Sequence, residues 1–123
     1  MANAVATVTV PDSRYSYSDG SKYFVYGTLA VSASPAVYVT GGIALSFFVP
    51  LCKASRTPMI VFLVGQSGYV YAYVPGADAS TGLLKIFQQS AATSALTEIP
   101  ASAIPAGVSG DVIQFEAVFF GME

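Results

Sequence analysis

The stretch GYVYAYVPG, Gly68 to Gly76, sets three tyrosines at every second position with valine or alanine between them. A strand points alternate side chains to opposite faces. Tyr69, Tyr71 and Tyr73 therefore share one face, and Val70, Ala72 and Val74 share the other. Val and Ala carry no polar atom, so their face is expected in the core. Three buried hydroxyls would each need a partner, so the tyrosine face is expected at a protein contact, where the ring is covered and the hydroxyl still reaches water or a carbonyl.

The same period of two runs through the chain. AVATVTV (4–10), KYFVYGTLAVSA (22–33), AVYVT (36–40), GIALSFFV (42–49), MIVFLV (59–64), LLKIFQQ (83–89) and DVIQFEAVFF (111–120) are rich in β-branched and aromatic residues. Gly, Pro, Ser or Asp bounds each of them. With the tyrosine hairpin this makes about eight strands at short spacing, the pattern of an antiparallel sandwich or barrel. Two regions read otherwise. Residues 11–21, PDSRYSYSDGS, are polar and turn-rich, so 1–22 reads as an N-terminal arm with a first strand, and 23–123 as the domain. The arm is expected to lie on a neighbouring chain, through Val5 and Thr7 of its strand and Tyr15 and Tyr17 of its tether. Residues 90–110 hold two prolines and many small residues. They read as a long loop with room for one helical turn before Pro100.

Composition narrows the function. Of 123 residues, 54% are apolar and 10% are charged. A folded monomer of this size exposes roughly 6,000 Å², so five Lys/Arg and seven Asp/Glu are few for a free surface. Something is expected to cover it. The apolar runs are shorter than the ~20 residues of a spanning helix, and MANAVATVTV lacks a basic start and an apolar core, so neither membrane nor export is expected. Protein is the expected cover.

Catalytic chemistry has little to build on. There is no histidine and one cysteine, which excludes histidine-based triads, thiolate metal clusters and an intrachain disulfide. Cys52 follows a proline in an apolar run and reads as a buried thiol. No phosphate-binding glycine loop occurs. A two-carboxylate glycosidase would have to draw on Asp111, Glu116 or Glu98, and Asp111 and Glu116 stand an odd number of residues apart, on opposite strand faces. No enzyme activity, cofactor, metal or small-molecule substrate is expected. Base stacking by the tyrosines would need a basic groove, and the net charge of −2 argues against nucleic acid. A sugar platform has only Gln66, Gln88, Gln89 and Gln114 to flank it. It stands as an alternative, a carbohydrate-binding β-sandwich module.

The order YFVYGTLAVSASPAVYVTGGIALSF, GYVYAYVPGADASTGLLKIF, IPAGVSGDVIQFEAVFFG resembles small virion proteins of tailed bacteriophages, above all capsid decoration (cement) proteins. The resemblance spans residues 23–121. Gly27, Thr28, Tyr38, Gly41, Gly42, Gly68, Tyr69, Gly110 and Asp111 carry it. It implies an all-β, antiparallel, jelly-roll-like sandwich that binds the outer surface of a phage head and holds capsomers together. The implied partners are the major capsid protein and copies of the chain itself, with the protein made in the host cytoplasm; too few charges for the area of one subunit make a homo-oligomer expected, a homotrimer ahead of a dimer. A tail, baseplate or fibre component is the alternative within the same class.

Overall fold

A computed structural model describes residues 3–11, 16–19, 22–33, 35–47, 58–89 and 95–120. Among the described residues nine strands form: β1 Val5–Thr9, β2 Ser16–Asp19, β3 Lys22–Val31, β4 Ile43–Leu45, β5 Ile60–Val64, β6 Val70–Val74, β7 Gly82–Gln89, β8 Leu96–Glu98 and β9 Ile113–Phe120. A helical turn, α1 Ala106–Ser109, follows Pro105. The all-β expectation is met.

The strands make one sheet in the order β5-β9-β3-β1-β4-β7-β6, with β2 added to β3 and β8 to β7. Among the described residues its ladders are antiparallel except β1 with β4, which is parallel. The sheet curls into a nearly closed barrel, and among the described residues no ladder joins its end strands, β5 and β6. One curled mixed sheet replaces the expected pair of stacked antiparallel sheets. The physical reason lies in β1, which pairs β3 on one side and β4 on the other and so links what would have been two sheets.

That same placement corrects the arm. β1 is a central strand of its own chain, with Ala4, Val8 and Val10 buried. Valines at alternate positions can fill a core as readily as they pair with a neighbour, and here they fill the core. Asp12 to Tyr15, Gly20, Ser21 and Cys52 lie outside the described residues. Tyr17 stands on β2 opposite Phe24; its side chain also lies outside them.

Among the described residues no charged or polar residue other than tyrosine is buried. Phe47 is fully buried, and its ring centroid lies 5.3 Å from that of Phe115, 5.4 Å from Tyr73 and 6.1 Å from Phe119. Val25 and Leu29 of β3, Ile113 of β9, and Leu84 and Ile86 of β7 complete the wall. Gly27 admits β1 to this packing: a Cβ there would overlap the Thr9 carbonyl oxygen and come 2.9 Å from the Phe115 ring. Residues 95–110, expected as loop, supply β8, α1 and three core residues, Ile99, Ile104 and Val108.

Candidate protein-binding face

The tyrosine row faces inward, which reverses the expected assignment. Tyr71 is buried, Tyr69 and Tyr73 are half-buried against the core, and Val70 is 44% exposed. The hydroxyl of Tyr71 donates to Asp111 Oδ2 at 2.6 Å, so the cost of burying it is met from within the chain. Ser67 Oγ donates to the same oxygen at 2.8 Å, and the Gln66 amide to Oδ1 at 2.8 Å. Burial pushes the Tyr71 phenol well above its usual range, and the bond to Asp111 adds to the rise. Desolvation pushes Asp111 upward, but its hydrogen bonds outweigh that and hold the carboxyl below its usual value. Asp111 therefore pins the β5–β6 loop to the corner before β9.

Glu98 has a parallel task. Its Oε2 accepts from the Tyr38 hydroxyl at 2.5 Å and from the Gly41 amide at 2.7 Å. The Ile86 amide donates to the Tyr38 oxygen at 3.3 Å. The Tyr38 bond, then the Gly41 bond, hold Glu98 below its ordinary value. Burial, with the Glu98 bond behind it, raises Tyr38. Gly41 and Gly42 take positive φ, 99° and 127°, which lets the turn present its amide. Of the three carboxylates weighed as a glycosidase pair, two are thus spent on loop anchoring, and Glu116 sits on the outer wall. Among the described residues no cluster of His, Cys, Asp and Glu is arranged to hold a metal ion.

The exposed apolar surface gathers elsewhere. Ile60, Phe62 and Val64 of β5 are 43%, 54% and 61% exposed, beside Met59 at 47%. The register carries this strip across the wall: Ile60 lies opposite Val118, Phe62 opposite Glu116, and Val64 opposite Gln114 on β9. Those three lie opposite Phe24, Tyr26 and Thr28 on β3. An open groove of about 420 Å³ between Pro11, Tyr26, Thr28 and Gln114 adjoins it and holds no charged side chain. Val5 and Thr7 are exposed on β1, as an interface role would require, while Tyr69 and Tyr73 offer only part of their surface and Tyr71 almost none. The β5 strip escaped sequence reading because MIVFLV is apolar at every position. Such a run reads as buried on both faces; only its register against Glu116 and Gln114 shows that one face is bare.

Twelve formal charges over 6521 Å² is one per roughly 540 Å², and two of those charges are turned to loop anchoring. No family model, curated protein or solved structure matches this chain.

Proposed function

We propose that this chain is a structural, non-catalytic assembly protein that acts by being covered by other protein. We propose further, from the motif resemblance, that it decorates the outer surface of a phage head and braces capsomer contacts. The observation that carries the assembly reading is the bare strip Ile60, Phe62 and Val64 on a wall poor in charge. Exposed apolar side chains that are contiguous, not scattered, mark contact surfaces, and depletion of charge is the compositional sign of an interface centre. The resemblance brings a jelly-roll sandwich with it; the proposal needs only an outer sheet face, which a barrel supplies equally.

A denaturing gel of purified virions from the virus that encodes the chain tests the second step. A decoration protein gives a band comparable in copy number to the major capsid protein. A tail, baseplate or fibre part gives a far weaker band. Absence from the particle, with retention on a polysaccharide column, would replace the proposal by the carbohydrate-binding reading.

A further inference from the structure

Asp78, Glu98 and Asp111 all accept hydrogen bonds within the chain. Glu116 differs. It is half-buried on the outer wall, and no hydrogen bond or ion pair among the described residues reaches its carboxylate. Its cross-strand neighbours on both sides are aromatic, Phe62 of β5 and Tyr26 of β3. The described cations are placed elsewhere. Lys22 stands opposite Asp19 of β2, so its charge has a complement within the same sheet. Lys85 lies on β7, outside this wall, with its ammonium 5.9 Å from the centroid of the Phe87 ring. The described wall of β5, β9 and β3 thus presents one unbalanced charge, a negative one, beside its bare apolar strip.

We propose that this wall seats one arginine side chain of a partner protein, with the guanidinium on the Glu116 carboxylate and against the rings of Phe62 and Tyr26. Covering the strip with apolar groups alone would strand a charge away from water, which is strongly unfavourable. A partner cation removes that penalty, and the wall has none of its own to spare. The flanking rings then select among cations. An arginine head is flat and weakly hydrated, stacks on aromatic faces, and offers paired N–H groups that match a carboxylate. A lysine ammonium holds its water more tightly. Arginine is also enriched at interface centres, where lysine is depleted. By strand spacing the backbones of Phe62 and Tyr26 stand roughly 10 Å apart with Glu116 midway, enough for one such head. The adjoining groove at Tyr26, Thr28 and Gln114 holds no charged side chain, so it offers nothing to an acidic partner. The expected cover is an apolar patch with one arginine near its centre. This deepens the assembly reading and rests on it, but not on a phage head being the target.

Heteronuclear NMR of the isolated full chain tests the seat, with capped pentapeptides that place arginine, citrulline or lysine between two valines. Citrulline keeps the shape of arginine and loses its charge. The arginine peptide is expected to bind with a Kd of about a millimolar, shifting the amides of Phe62, Glu116 and Tyr26. The citrulline peptide should bind about tenfold more weakly, and the lysine peptide between the two. Glu116→Gln should abolish the preference for arginine over citrulline. Where circular dichroism shows that variant unfolded, Glu116→Ser takes its place. Equal binding of the arginine and citrulline peptides to the wild type overturns the proposal. So does a preference that survives loss of the carboxylate, a set of shifts confined to other strands, or no binding by about 10 mM. Shifts at this wall with maltohexaose, and none with the arginine peptide, overturn it in favour of a sugar. Assembly is read separately, from the chain content of purified particles. Glu116→Gln present at the wild-type level removes the arginine and leaves assembly standing. A wild-type chain that takes the arginine peptide but is absent from virions keeps the seat and removes the decoration reading alone.

Discussion

Tyr71 and Tyr73 stand two residues apart on one face of β6, and their hydroxyls meet opposite fates. Tyr71 donates to Asp111, whereas the buried oxygen of Tyr73 has no partner. Removing a hydrogen bond to a carboxylate costs stability, and removing an unsatisfied buried hydroxyl relieves it. Tyr71→Phe should therefore destabilise the chain by about 1–2 kcal/mol, a loss of several degrees in Tm. Tyr73→Phe should leave it unchanged or raise it by up to about 1 kcal/mol. Thermal melts of the two variants side by side decide the matter, and equal losses would show that ring packing, not the hydroxyl, governs both. Gly27 supplies a third case at this scale. The Thr9 carbonyl that a Cβ would meet is backbone and cannot rotate away, so Gly27→Ala should cost about 1–3 kcal/mol, as overpacking does, or more if β1 is displaced. Urea titration measures it.

At the scale of elements, β1 separates what the sequence makes legible from what it hides. The period of two marks strands wherever it occurs, and the glycine and proline bounds place most of them; β3, β7 and β9 fall where alternation is longest. Period alone says which residues share a face and nothing of which face is inside. In VYAYV the expectation rested on polarity, and it failed because Asp111, forty residues away, supplies the missing acceptor. Strand pairing is equally non-local. The polar run after Val10 looks like a tether, yet β1 closes ladders with both β3 and β4. The mixed barrel follows from that one strand. Deleting residues 2–12 should consequently unfold the domain, where a free arm would leave it intact. Loss of the cooperative melt and rapid proteolysis are the expected result, and a truncated chain with a wild-type near-ultraviolet spectrum would show β1 to be dispensable.

For the whole molecule, the titratable groups set a stability plateau with two edges. Asp111, Glu98 and Asp78 are all held below their ordinary carboxyl values by folding. A carboxyl lowered by folding contributes stability that is present above the unfolded value and is lost as pH falls through the folded one. The acid edge should therefore begin near pH 4.5 and steepen below it, releasing the β5–β6 loop and the Tyr38 turn. Tyr38 and Tyr71 lie above the ordinary phenol value in the folded chain, first because they are buried and second because they donate to carboxylates. A phenol raised by folding contributes stability that is full below the unfolded value and lost as pH climbs past it. Each such group steepens the decline by up to about 1.4 kcal/mol per pH unit. With no histidine in the chain, the side chain that most often titrates between the two edges is missing. Urea midpoints measured from pH 3 to 11 should accordingly stay flat between about pH 5 and 9 and fall on both sides. Tyr71→Phe should flatten the acid edge, because Asp111 then loses one of the bonds that lowers it, and the alkaline edge as well, because one raised phenol is gone. A variant that lowers the plateau without changing either edge would mean that the Tyr71–Asp111 pair does not couple folding to protons.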